Sequence, residues 1–388
     1  MIPKSGSRFS ETIMLKKSRE SMRTPLIDRR DFLRAAGIGF VAAMTPSAWA
    51  KTLAADAVFA TAFVKRDGGF GAAVLSEAGK VLHAIDLPDR GHDVTFDPIS
   101  KRSVVFARQP GTFAVVFDHT GRDAPQTIAS ITGRHFFGHG MFSPDGALLY
   151  ATENDFDNAA GVVGVYDARA KFSRIGEFPT YGMGPHELLL MGDGRTIAVA
   201  NGGIETHPDY GRAELNIATM KPSYVLIDRV TGDLIEKHEL PASLHQLSIR
   251  HMDTDPSGTV WFGCQYRGPG TDRPLLVGRA ARGKELQLLD MPQDVLSGFR
   301  NYIGSVAANA TAGTVAVSSP EGNSLVVIDA ASGRVVSTSA LVEVCGLAPD
   351  GSGFMATTGA GEIIEGSGAT RVEPDYVWDN HMLRIEQV

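Results

Sequence analysis

One short pattern returns six times along this chain, and it leaves little choice of architecture. Its clearest copy, Gly138 to Asn158, reads GHGMFSPDGALLYATENDFDN. A run led by Gly138-His139 carries Met141 and Phe142, turns at Ser143-Pro144-Asp145-Gly146, and resumes as Ala147 to Thr152. Proline presets φ for the first central turn position, aspartate bonds its own backbone and glycine accepts φ > 0, so the unit is strand, hairpin, strand. Related units begin at Gly91 (GHDVTFDPISKRSVVFA), Pro185 (PHELLLMGDGRTIAVAN), Arg250 (RHMDTDPSGTVWFGCQY), Asn301 (NYIGSVAANATAGTVAVSS) and Val344 (VCGLAPDGSGFMATTG). The β-branched and aromatic runs Val162 to Asp167, Tyr224 to Asp228 and Leu325 to Asp329 each close on Asp and lead into another strand, as third strands turning into fourth. No segment beyond Ala50 keeps a helical hydrophobic period, so the fold is all-β.

The leading positions of the units are 92, 139, 186, 251, 302, 345 and, by the argument below, 381. Most steps fall near the 40 to 50 residues of a four-stranded propeller blade. The long step from 186 to 251 contains an insertion, Gly202 to Ser223, broken by His207-Pro208, Gly211 and Lys221-Pro222. Such a loop belongs on a face of the disc, where insertions are tolerated. After the sixth unit one short strand is left, His381 to Glu386, whereas the start offers three: Val58 to Val64, Gly71 to Leu75 and Lys80 to Leu87. One C-terminal and three N-terminal strands make a seventh blade that ties the ends together and removes open edges. The expectation is a seven-bladed β-propeller, with six or eight blades the alternatives.

Ahead of the repeats stands an address label. Asp28-Arg29-Arg30-Asp31-Phe32-Leu33 is similar to the twin-arginine signal, an Ala/Gly-rich apolar segment runs from Ala35 to Met44, and Ala48-Trp49-Ala50 offers a small-x-small cleavage site. The apolar run is too short and glycine-rich to span a membrane. Residues 1–50 are therefore read as a signal for export to the periplasm and 51–388 as the propeller domain. The signal segment holds 9 Lys/Arg and 4 Asp/Glu, which leaves 28 and 40 and a net charge of −12, against −7 for the whole chain. So acidic a domain is a poor partner for nucleic acid or an anionic membrane.

Aligned on the first strand of each blade, the leading residues are His92, His139, His186, His251, Tyr302, Cys345 and His381. The first strand of a blade is innermost, so these positions form a ring about the axis. Five of the 11 histidines occupy one equivalent place, and imidazole, phenolate and thiolate all coordinate transition metals such as iron, copper or zinc. A competing reading makes the ring a plug, each imidazole bonded to a carbonyl of the next blade. Glu187 and Asp93 follow His186 and His92 and, facing away along the strand, are expected to support rather than ligate. The acidic loop Glu153 to Asn158 lacks EF-hand spacing and reads as solvated. Cys264 and Cys345 fall in blades four and six, too far apart in the ring to pair, and are expected as free thiols. Nucleophile-elbow, zincin, P-loop, c-type haem and dinucleotide motifs are absent from the sequence.

The string GHGMFSPDGALLYATEND, GPHELLL with VANGGIETHPDYGR, LNIATMKPS, LSIRHMD, GCQYRG and VAVSSPEGN resembles the DUF1513 family over nearly all of the chain beyond Ala50. The resemblance implies a bacterial propeller exported by the twin-arginine route, related in architecture to YVTN-type and quinoprotein-like propellers. It also implies gene neighbours among imelysin-like and di-haem periplasmic proteins of iron uptake, and supplies no catalytic residue. The expected function is a periplasmic binding protein that holds a metal ion or metal-bearing small ligand at the axial ring and works with other periplasmic metal-uptake proteins. The rivals are a metal-dependent enzyme, lactonase-like or redox, built on the same ring, and an interaction scaffold using Tyr210 and the Gly202 to Ser223 loop.

Overall fold

In the computed structural model residues 57–385 are described; the twin-arginine segment, the cleavage site and the last three residues lie outside them. Seven four-stranded antiparallel sheets make up the propeller, six of them simple meanders and the seventh joining the C-terminal strand to three N-terminal ones. Inner strands are Gly91–Asp97, Arg134–Phe142, Pro185–Leu190, Leu247–Thr254, Ser305–Asn309 and Val344–Asp350 for blades one to six. Tyr376–Arg384 serves blade seven. The expected hairpin forms: Gly146 N–H donates to Ser143 O at 2.9 Å, and Gly146 has φ 64°.

Burial follows the layering. Second strands such as Thr196–Asn201 are buried at every position because a blade packs on both sides, whereas the outer strand Ser173–Pro179 alternates exposed and half-buried. Hydrophobic clusters sit between blades. One joins Val104 and Phe106 of blade one to Phe136 and Leu149 of blade two. The largest runs from Ala198 and Leu226 through Trp261 and Phe262 to Val315 and Val326. Each blade is thus one slab of a continuous core, held by its neighbours.

Blade seven closes the disc as expected: Tyr376–Arg384 pairs antiparallel with Ala57–Lys65, which continues into Phe70–Ser76 and Val81–Leu87. The closing strand begins at Tyr376, five residues before the expected start, because Tyr376 and Trp378 are core residues of the joint. Tyr376 stacks on Phe63 at 4.1 Å between ring centroids, and Trp378 meets the same ring edge-on at 5.9 Å.

Two further departures come from insertions. A short α-helix, Gln293–Gly298, sits ahead of blade five and buries Val295 and Leu296. The 202–222 insertion carries two 3-10 turns, Pro208–Tyr210 and Ile217–Thr219, and Tyr210 is exposed. The acidic loop is no loop at its start: Glu153 ends up fully buried within the strand Leu148–Asp155, where Arg174 and the Tyr166 hydroxyl, which donates to its carboxylate at 2.5 Å, satisfy it. Among the described residues no helix is long and apolar enough to cross a membrane.

Candidate metal centre

A β-bulge marks the inner strand wherever a leading His or Cys occurs. The register slips between Gly91 and Val94, Phe136 and Gly140, Pro185 and Glu187, Ile249 and His251, and Val344 and Leu347. In blade seven it slips between Thr61 and Phe63, opposite the stretch 379–381. Blade five, whose inner strand carries no histidine, pairs without interruption from Ser305 to Asn309. Bulges re-aim side chains that a flat strand would point into the neighbouring blade. Here they turn imidazoles toward the axis. Gly138 completes the fit: it takes φ 107°, and a Cβ there would lie 2.6 Å from the His92 ring.

The five imidazoles form a closed cycle. Centroid separations are 5.0 Å for His92 to His139, 5.0 Å for His139 to His186, 4.6 Å for His186 to His251, 4.6 Å for His251 to His381 and 4.5 Å for His381 back to His92. Two sets bring three ligand nitrogens within 4.8 Å of one another, His92 with His139 and His186, and His139 with His251 and His381. All five residues are buried, from 1% to 9% exposed.

Ring nitrogens are conspicuously unpartnered. Both nitrogens of His139 and of His251, and Nε2 of His186 and His381, are buried without a hydrogen bond. Asp93 Oδ2 approaches His139 Nδ1 to 3.3 Å and Glu187 Oε2 approaches His251 Nδ1 to 3.5 Å, but off the line that a hydrogen bond needs. Among the described residues no ring imidazole bonds a backbone carbonyl, which is what a plug would require. His92 alone is anchored, Nδ1 lying 3.1 Å from Asp379 Oδ1, while Arg90 Nε donates to Asp379 Oδ2 at 2.6 Å.

Electrostatics keep His92, His186, His251 and His381 in the state that binds metal. Burial holds His92, His186 and His251 well below the usual imidazole range; neighbouring ring histidines push in the same direction, and so does Arg250 for His186 and His251. Burial lowers His381 to about 4. Asp379 is buried, yet its hydrogen bond to His92 and the charges of Arg90 and Arg108 hold it ionised, well below the ordinary carboxylate range. Neutral imidazoles are the ligating form, so these four need no deprotonation at neutral pH. Below the ring a cavity of about 660 Å³ is walled by Asp93, Glu187 and Asp253, and His381 reaches it. Burial raises Glu187 well above the usual carboxyl range, with Asp93 adding repulsion, and lifts Asp253 to about 6.

The family model for DUF1513, "Protein of unknown function (DUF1513)", matches residues 85–385. This chain belongs to the DUF1513 family. No curated protein matches it. Among solved structures, hydrazine synthase of Kuenenia stuttgartiensis is similar to the DUF1513 chain with a TM-score of 0.57 at 13% identity, over 80% of this chain and 94% of that one. The Cps50 (Swd1) β-propeller domain of Myceliophthora thermophila gives 0.54 at 11%, over 84% and 96%. At such identities the likeness is one of fold alone.

Two of the seven expected ring positions are occupied differently in the DUF1513 propeller. Tyr302 lies ahead of the inner strand of blade five, bridged to Gln265 of blade four, and its hydroxyl accepts from Asn380 Nδ2 at 2.6 Å. The helix Gln293–Gly298 and the turn after it precede an inner strand that begins at Ser305, three residues beyond Tyr302. Cys345 sits on the bulge of blade six, but its Sγ donates to Glu343 O at 3.0 Å, and burial pushes the thiol up to about 12. Cys345 joins neither set of converging ligand atoms. Cys264 and Cys345 are both free and buried, as expected. Reading the sequence missed Asp379 and Arg90; an acid two residues from His381 on the same strand was the available signal.

Proposed function

We propose that this DUF1513 propeller is a periplasmic metal-binding protein that holds one divalent first-row transition ion in the histidine ring and serves iron or other metal uptake. The observation that carries this reading is six ring nitrogens, on four imidazoles, buried without a hydrogen-bond partner in a closed cycle. An unsatisfied buried polar group costs about 1–3 kcal/mol, and a shared cation removes that cost at several groups together. Imidazole donors suit zinc, copper, ferrous iron and nickel. Asp379 orients His92 in the way an outer carboxylate orients a metal-bound imidazole. Periplasmic placement rests on the twin-arginine segment, and the link to uptake on what the family resemblance implies.

Elemental analysis of protein purified from the periplasmic fraction tests the reading, with about one transition-metal ion per chain expected. Protein that arrives without metal, and takes up none of zinc, copper, ferrous iron or nickel on titration, rules it out. A metal-dependent enzyme on the same ring is the second reading. It is favoured by Glu187, a carboxyl beside the ring that burial keeps able to donate a proton.

A further inference from the structure

The histidine ring has a second mouth, and there the charge reverses. A cavity of about 590 Å³ opens onto His186 and is walled by Arg108, Arg212, Arg250 and Arg267 against two carboxylates, Glu214 and Glu321. Four cations to two anions is an unusual balance in a chain whose residues after Ala50 carry a net charge of −12. Among the described residues Arg267 is the one of the four in an ion pair, its Nε donating to Glu214 Oε2 at 2.8 Å. Arg250 Nη1 donates to the neutral Gln265 Oε1, and its Nε is buried with no partner. The side chains of Arg108 and Arg212 make no hydrogen bond or ion pair among the described residues. Burial is the largest cause lowering Arg108 and Arg250; Asp379 attracts the first and Glu214 the second, while Arg90 and Arg212 repel the first and Arg267 and Arg212 the second, across a partly dry space. Crowded, desolvated cations with donors left over are costly unless an anion fills the space between them.

We propose that this pocket binds a small ligand carrying two or three carboxylates. Guanidinium forks match carboxylates bidentately, and three guanidinium groups that make no ion pair among the described residues call for more than one of them. A volume of about 590 Å³ is in the range of small-molecule sites and far larger than one phosphate needs. Neutral donors complete the wall, Gln109 and Ser248 among them. Two of the charged groups, Arg212 and Glu214, arrive on the 202–222 insertion, so the longest departure from the repeat is what builds this pocket. His186 belongs to both wall and ring, so the ligand would sit within reach of an ion there, but the anion site does not depend on the metal reading.

The test is calorimetric titration of the whole protein, stripped on a chelating resin, with propane-1,2,3-tricarboxylate, a weak chelator. Binding at least tenfold tighter than that of inorganic phosphate is expected, weakened at least tenfold by Arg212→Gln and by Arg250→Gln. Arg212 is exposed and has no structural partner, so its variant stays informative even where Arg250→Gln unfolds. Absence of tricarboxylate binding, binding indifferent to Arg212→Gln, or equal affinity for phosphate overturns the proposal. Because metal is absent throughout, each outcome is independent of whether the ring holds an ion.

Discussion

Replacing His139 and His251 together by Leu should invert the order of stability according to whether metal is present. Both triads contain His139, so the double substitution leaves neither intact. In the metal-free protein these two side chains bury four nitrogens that bond nothing. Relief of about 1 kcal/mol for each side chain, the low end for a buried unsatisfied group, gives a gain of roughly 2 kcal/mol, and leucine is close enough in volume to keep most contacts. In the parent, an ion present at a thousand times its dissociation constant adds about 4 kcal/mol, and the variant gains none of it. Urea unfolding with chelator, then with zinc, reads both halves. The expected result is a variant at least as stable as the parent in chelator and less stable in zinc. A variant destabilised by more than about 1 kcal/mol in chelator would show that the ring is a structural plug. A variant that keeps the zinc increment would show that the ion binds elsewhere.

Deleting residues 376–388 removes the closing strand with Trp378 and Tyr376, and should leave no cooperative thermal transition; a melt within a few degrees of the parent refutes the closure. Acid should destabilise the metal-free protein between about pH 6.5 and 4. Burial is the largest cause in lowering both His119 and His381 to about 4, so the unfolded chain takes up protons that the folded one refuses. Each contributes about 3 kcal/mol that is present above pH 6.5 and lost as the pH falls toward 4, whereas the raised Glu187 acts in the opposite sense. Unfolding free energy flat across that window contradicts the assignment. Replacing Arg29 and Arg30 by Lys should hold the precursor in the cytoplasm on fractionation, and normal delivery of that variant refutes the export reading.

The blade count, the closure and the convergence of His92, His139, His186, His251 and His381 were legible because all three depend on period. A residue type returning at one place in a repeat is information that needs no coordinates. Tyr302 was misplaced for the same reason: alignment on leading residues assumes a constant phase, and the helix Gln293–Gly298 breaks it. The arginine pocket was illegible because Arg108 follows the second strand of blade one, Arg212 rides on an insertion, Arg250 lies on an inner strand and Arg267 follows the second strand of blade four. No single period connects them, and only the closed ring brings them to one mouth. The burial of Glu153 turned on Tyr166 and Arg174 of the neighbouring strands, partners that acidic composition does not announce.

Joining Tyr376–Arg384 to Ala57–Lys65 also fixes when the centre comes into being. Thr61 pairs with Met382, and its hydroxyl donates to His381 O at 2.6 Å, across 320 residues of chain. His381 and Asp379 arrive on that strand, so a chain folded only as far as blade six holds four of the five imidazoles and lacks the carboxylate that orients His92. Contacts so distant in sequence form late, because the closure entropy of every intervening loop comes first. The triad of His92, His139 and His186 belongs to blades one to three, whereas the triad of His139, His251 and His381 and the carboxylate that orients His92 exist only once the circle has closed.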